Sequence, residues 1–501
     1  MNESIRNTRR ELGRLRELRS NVVSEAGRLL KHWESEIVGT PFVSSAANLA
    51  AYLVFRRADL RAAQSALSAL GVSSLGRSEA HVLATLDAVI ATLAAIAGEP
   101  QDELPARPSA RDFSNGSRIL KRRADALLGV ERGRPIPIMV TLPTSAATDR
   151  AWVRRLVAAG TNCVRINCAH DTRDVWKRMI RNVRSAAKAE GRTCKVLMDL
   201  CGPRARIESI LHEEEMVRVK KGDSILLTKD QPRKRPGYPL QAHCPIAEVF
   251  TTLKPGAQLW INEGRIGALV VKCIKEGLVL RVTDARETGE KFRAEMALNF
   301  PNVDLQISPL THQDLTDLDF IAQHADVVGY SFVQTPEDIN LILNELDERR
   351  ARFKRKQKLG LIAKIETAQA VRNLPEMIVR AASRVPFGVM IARGDLAIEV
   401  GFLRIAELQE EIMWICEAAQ VPVIWATQVL ESFAKKGLPT RAEVTDAAMS
   451  VRSECVMLNK GPFVIDAVGI LDKLLRQMAA HHTKKTSRLR ALQSWEHLFW
   501  Q

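Results

Sequence analysis

The sequence predicts an α/β protein: a (β/α)8 TIM barrel with a small inserted β-barrel lid domain and an N-terminal helical region. Three observations carry the prediction. From Pro135 onward, short apolar runs that read as buried parallel strands alternate with amphipathic helical stretches. Several of these runs end on polar residues: Arg165 and Asn167, Asp199, Lys364 and Glu366, Arg393 and Asp395, and Thr427. Functional groups delivered at strand C-termini are what a barrel with its active site on that face requires. Between the third and fourth runs, a segment of brief β patterns with glycine turns breaks the alternation.

At 501 residues the chain is too long for one core, and two to four domains are expected. Residues 1–133 read as helical. Leu12, Leu15, Leu18 and Val22 recur at helical spacing, and a second helix through Val82, Leu86, Leu93 and Ile96 has Ser78 as candidate N-cap and Gly98 as stop. This region is expected to pack on the barrel or on a second subunit. The proline-containing stretch Glu99–Pro108 reads as a linker.

The barrel is assigned to 134–203 and 296–480. Its strands are predicted at 136–142, 162–167, 195–200, 326–332, 359–366, 388–393, 422–427 and 454–458, with helices at 149–159, 336–349, 403–419 and 441–450. The lid takes 204–295, with strand patterns at Ser224–Thr228, Gln258–Ile261, Ala268–Val271 and Leu278–Val282. Residues 481–501 form a C-terminal tail.

Apolar content of 46% and charged content of 26% are those of a globular protein. A net charge of +15 suits phosphorylated metabolites or other polyanions. The densest basic run, Arg349–Lys358, has no nucleic-acid motif beside it and reads as a solvated helix end. Eight cysteines without a Cys-x-x-Cys pair argue against a zinc finger or a disulfide scaffold. Cys163, Cys194, Cys273 and Cys455 lie in apolar runs and are expected to be buried, in keeping with a reducing cytoplasm. No secretory leader or membrane span is predicted.

Lys364 and Glu366 stand two residues apart on a strand and therefore face the same way. Two charges at the end of a buried strand are either a structural ion pair or ligands of something else.

Across residues 135–475 the chain resembles the pyruvate kinase family. The resemblance rests on Leu359-Gly-Leu-Ile-Ala-Lys-Ile-Glu366 and its continuation to Val371, Met390–Leu396, Ala426–Ser432, Pro439–Glu443, Val164–Asn167 with His170, and Asp199–Pro203. Several separate motifs in the right order are far more specific than any one of them. The resemblance implies phosphoryl transfer from phosphoenolpyruvate to ADP, with Mg2+ or Mn2+ held by Glu366 and Asp395. Lys364, Thr427 and Arg165 would be catalytic, with Arg165, Gly394, Asp395 and Thr427 on the substrate and Asn167, His170 and Arg206 on the nucleotide. A homo-oligomer is implied as well; specific nucleic acid and membrane are not among the expected partners.

The family's potassium ligands survive only in part. Asn167 and Asp199 remain, while Ala169, Leu200 and Arg204 stand where a serine, a threonine and a glutamate are usual. That combination resembles the potassium-independent branch, and a guanidinium from Arg204 beside Asp199 is expected to replace the ion. Asn459-Lys460-Gly461-Pro462 stands where the family has Ser-Gly-Glu-Thr, and Cys201 and Glu295-Met296 stand at common lysine positions. The family's C-terminal domain, with its sugar-phosphate effector site, has no counterpart, so its effector control is not carried over. Two alternatives stay open: a catalytically weakened phosphoenolpyruvate-binding regulatory protein, and another metal-dependent phosphoenolpyruvate or oxoacid enzyme on the same barrel.

Overall fold

The computed structural model describes residues 3–100, 105–131, 133–212, 217–301, 303, 305–481 and 495. Eight parallel strands close into a barrel: β1 (Ile138–Thr141), β2 (Cys163–Asn167), β3 (Lys195–Asp199), β4 (Val327–Tyr330), β5 (Gly360–Ile365), β6 (Phe387–Ala392), β7 (Val423–Ala426) and β8 (Cys455–Leu458). Each strand pairs with its sequence neighbours, and β1 pairs with β8 to complete the ring. The strands are buried along almost their whole length, so both faces must be apolar, which is why they read as continuous hydrophobic runs.

The helices between them begin where local chemistry predicts. Asp149 caps Arg150–Ala158 by accepting from Trp152 N–H at 2.8 Å. Capping boxes open Pro336–Arg352, through Thr335 and Asp338, and Arg441–Met449, through Thr440 and Glu443.

The barrel axis is closed at its N-terminal end by a residue pair from outside the barrel. Helix Ala110–Leu128 ends with Leu127 and Leu128, and both pack among Met139, Leu197, Ile362, Met390 and Ile424 inside the ring. A Cβ on Gly360 or Gly388 would lie 2.5 or 2.7 Å from the Leu127 methyls, so those two strands need glycine where the plug enters.

The rest of the N-terminal region shares one hydrophobic core with the barrel's outer helices. Asn48 Nδ2 donates to Ala418 O at 2.8 Å, Arg123 Nη1 to Ala419 O and Gln420 O, and Arg56 stacks on Trp414 at 4.7 Å. Docking on the barrel is therefore one role of this region.

Gly98 ends helix Val82–Ala97 in the left-handed conformation, as expected. Ser78 is not its cap. The helix starts three residues later than that cap requires, and its first N–H, on Val82, is accepted by Asn48 Oδ1 at 3.0 Å from another helix. Part of the expected 99–108 linker, residues 101–104, lies outside the described residues. So does the 481–501 tail apart from His481, which ends helix Val464–His481, and Trp495, which is buried and donates to Val371 O.

The inserted lid is built on a seven-stranded sheet and a two-stranded sheet around its own core. The expected strand patterns lie within Ser224–Thr228, Gln258–Ile261, Ile266–Ile274 and Gly277–Asp284. Its sheet runs beyond Glu295: Leu298–Asn299 pairs with Gln258–Ile261, and Met296, Leu298 and Phe300 sit in its core.

The basic run is tied into structure. Arg349 bridges to Asp319 at 2.9 Å, and Arg355 donates to Ala322 O and Ala325 O. Of the four cysteines expected to be buried, Cys273 is exposed, because it lies in the solvent-facing end of a lid strand. Among the described residues, no helix is long and apolar enough to cross a membrane.

Candidate active site

Register places the site. Asn167 on β2 lies opposite Asp199 on β3, so the C-terminal ends of adjacent strands deliver their polar groups to one level of the barrel mouth. Asp199 is 1% exposed, and its Oδ2 accepts from Arg165 Nε at 2.9 Å and from Arg165 Nη2. Lys364 Nζ, from β5, stands 3.4 Å from the same oxygen and 3.0 Å from Glu366 Oε1. It also donates to Ser331 Oγ at 2.7 Å. Glu366 Oε2 accepts the Phe332 N–H at 2.6 Å. Lys364 and Glu366 thus share a face, as the two-residue period requires.

Asp395 lies in the first turn of helix Arg393–Val400, which follows β6 without a connecting residue. Thr427 follows β7 with φ of 63°, and its Oγ1 accepts the Gly394 N–H at 2.8 Å. A β-branched residue in the left-handed region is a conformational outlier, and such residues gather at functional sites.

Arg165, Asn167, His170, Asp199, Leu200, Arg204, Arg206, Lys364, Glu366, Gly394, Asp395 and Thr427 all line one cleft of about 720 Å³ at the barrel mouth. Asn262, Arg265, Arg293 and Glu295 of the lid line the same cleft, as do Asn459 and Lys460, so the sequence departure at the end of β8 falls inside the site.

One expectation about partners needs correction. Arg204 does not sit on Asp199: its Nη2 binds Asp395 Oδ1 at 2.7 Å, while Arg165 and Lys364 serve Asp199. Arg165 and Lys364 hold Asp199 Oδ2, and Oδ1 is buried against Gly329, where a Cβ would lie 2.4 Å from it, so neither oxygen is open to Arg204. The Gly394 N–H, at the cleft, donates to Thr427 Oγ1. Arg206 lines the cleft, but its Nη1 donates to Glu295 O at 2.9 Å.

Sequence reasoning missed Ser331. Ser331 Oγ accepts from Lys364 and donates to Leu200 O at 2.7 Å. The available signal was a serine near the C-terminal end of the fourth predicted run, 326–332, one residue past the observed strand.

The charges are strongly coupled. Burial opposes ionisation of Asp199, but Arg165 and Lys364 outweigh it and hold the carboxyl below its usual range. Burial likewise opposes the Lys364 ammonium, and Asp199 and Glu366 outweigh it and raise its pKa. Glu366 is raised, first by burial and then by Asp395, against the pull of Lys364. Burial and Asp395 push Glu399 up to about 7.

Two facing carboxylates of which one resists ionisation form a place where a cation is stabilising. Among the described residues there is no group of three or more His, Cys, Asp or Glu that could hold a metal. A pair of carboxylates suits Mg2+, which keeps water or substrate oxygens in the rest of its shell. Glu366 and Asp395 supply such a pair, with Lys364 on one and Arg204 on the other, so a divalent ion fits where Arg204 gives up Asp395.

The family model for the pyruvate kinase barrel domain matches residues 134–466. The chain belongs to the pyruvate kinase family. It is 31% identical over 349 residues to the pyruvate kinase of Dictyostelium discoideum, covering 68% of this chain and 65% of that protein. It is 30% identical over 374 residues to pyruvate kinase PKLR of Rattus norvegicus, covering 71% and 62%. The chain thus spans less than two thirds of the length of these two relatives. A solved pyruvate kinase structure from Cryptosporidium parvum aligns with a TM-score of 0.63 at 25% identity, covering 72% of this chain and 70% of that one.

Proposed function

We propose that this chain is a phosphotransferase of the pyruvate kinase type, converting phosphoenolpyruvate and ADP to pyruvate and ATP, dependent on Mg2+ and independent of potassium. The observation that carries this reading is the buried Lys364 ammonium shared between Asp199 and Glu366 at the level of the mouth that also holds Arg165. In the transfer, the bond between phosphorus and the enol oxygen breaks, a β-phosphate oxygen of ADP bonds to phosphorus, and C3 of the enolate takes a proton.

Negative charge spreads over the phosphoryl oxygens on the way, so a site gains most from fixed cations placed in advance. Lys364 would face the phosphoryl in flight and Arg165 the substrate phosphate. Thr427 would stand at the face where the enolate is protonated, and Asn167, His170 and Arg206 would meet the nucleotide. Glu366 and Asp395 would hold the divalent ion, which when bound supplies charge to the phosphate and enolate oxygens.

Potassium independence is supported by apolar Leu200 and by Arg204, a permanent cation that enters the mouth from the Asp395 side. The regulatory alternative draws on Asn459 and Lys460, which bring an amide and a cation to the cleft in place of the family's acid and hydroxyls.

A coupled assay with phosphoenolpyruvate, Mg2+, and ADP or GDP, with and without potassium, tests the reading. Pyruvate and nucleoside triphosphate in equal amounts are expected. Binding of phosphoenolpyruvate without turnover would establish the regulatory alternative.

A further inference from the structure

Arg393 is the first residue of the helix that carries Gly394 and Asp395, and it stands outside the cleft those residues line. All three of its guanidinium nitrogens donate. Nε donates to Ala426 O at 3.1 Å, Nη2 to Thr427 O at 2.6 Å and to Asp446 Oδ2 at 2.9 Å, and Nη1 to Asp446 Oδ1. The plane stacks on the buried indole of Trp425 at 4.6 Å, and the side chain is 11% exposed. Thus one side chain spans the end of β7, the start of the helix after β6, and Asp446 on helix Arg441–Met449.

What it holds is strained. Thr427 and Gln428 have φ of 63° and 61°, and Leu430 follows at 46°. Left-handed non-glycine residues persist only where surrounding contacts over-determine them. The two carbonyls that Arg393 binds, of Ala426 and Thr427, bracket the first of these residues. The Thr427 hydroxyl is in turn set by the N–H of Gly394, the residue after Arg393.

We propose that Arg393, braced by Asp446, is the positioning residue that fixes the Thr427 hydroxyl over the substrate, and so governs the proton step of the reaction proposed above, on which this inference rests. A lysine cannot reproduce the contact: a single ammonium has no planar fork to reach two carbonyls and a carboxylate while lying flat on an indole. Displacing a reacting group by about 1 Å costs on the order of 10²-fold in rate.

The test compares the full chain with Arg393→Lys, the milder Asp446→Asn, Thr427→Ala, and the Arg393→Lys/Thr427→Ala pair. Three quantities are read: steady-state kcat and KM for phosphoenolpyruvate, exchange of pyruvate methyl protons with deuterated solvent, and amide hydrogen exchange of the peptide containing Gly394. For Arg393→Lys, kcat is expected to fall about 10²-fold with KM for phosphoenolpyruvate little changed, and methyl exchange to fall with it. The Gly394 amide should exchange faster, Asp446→Asn should show the same pattern more weakly, and adding Thr427→Ala to Arg393→Lys should cost little more.

Additive losses in the double variant, or a loss confined to KM with methyl exchange intact, would overturn the proposal. So would an unchanged Gly394 amide. Should the parent chain show neither turnover nor methyl exchange, the kinase reading fails, and the Gly394 amide in Arg393→Lys and Asp446→Asn still decides whether the clamp exists.

Discussion

The two ends of the barrel are made from the same eight strands and obey opposite rules. At the N-terminal end, Leu127 and Leu128 fill the axis among Met139, Ile362 and Ile424, and the glycines of β5 and β6 make room for them. At the C-terminal end the same strands terminate in Arg165, Asp199, Lys364 and Glu366, each buried or nearly so, and each tolerable only because of the others. Apolar packing is non-directional and forgiving of its partners. A network of buried charges is stable only as a set, which makes the mouth specific and the floor merely dense.

Four measurements break or sharpen this contrast. The largest effect is expected for Lys364→Met, which leaves two buried carboxylates without their shared cation: a folded protein by circular dichroism with kcat lower by about 10³-fold or more. Near-full turnover would remove Lys364 from the chemistry.

Leu127→Ala should act at the other end alone. Thermal or denaturant unfolding should show a loss of about 2–5 kcal/mol, with KM for phosphoenolpyruvate unchanged. A shifted KM would show that the floor and the mouth are not separable.

Ser331→Ala removes an acceptor from Lys364 without removing the charge. Because a hydrogen bond to an ionised group contributes about 1.5–3 kcal/mol, unfolding should show a loss of up to that size, and kcat should fall roughly tenfold as the ammonium loses its orientation. Replacing tetramethylammonium by potassium at constant ionic strength should have the smallest effect, less than about twofold, since Arg204 already brings a guanidinium to the mouth. Strong stimulation by potassium would show that Arg204, on Asp395, does not stand in for the ion.

The strands and the polar residues at their ends were legible because they follow from periodicity, whereas His170, Arg204 and Arg206 were legible only through the family resemblance. A strand that must be buried on both faces is a continuous apolar run, and its last polar residue has to emerge at the barrel's end. What the sequence could not disclose depends on reach. Arg204 has a long side chain, and sequence spacing does not say that it ends on Asp395 while Arg165 and Lys364 take Asp199 Oδ2 and Gly329 covers Oδ1.

Asn48 rather than Ser78 caps helix Val82–Ala97 because a residue from a neighbouring helix is nearer than one in the preceding turn. The lid's last strand, Leu298–Asn299, is two residues long and falls below any usable period. Ser331 was visible only as a polar residue after a strand, and a serine there is unremarkable until the ammonium beside it is seen.

The plug has a practical corollary. The stretch that matches the family begins at residue 134, downstream of Leu127 and Leu128, so the part of the molecule that would do the chemistry borrows its base from a segment outside the matched region. A fragment trimmed to the matched residues would leave the apolar base of the ring, including Met139, Leu197 and Ile362, facing water. Anyone grafting this barrel onto another scaffold has to bring helix Ala110–Leu128 along with it.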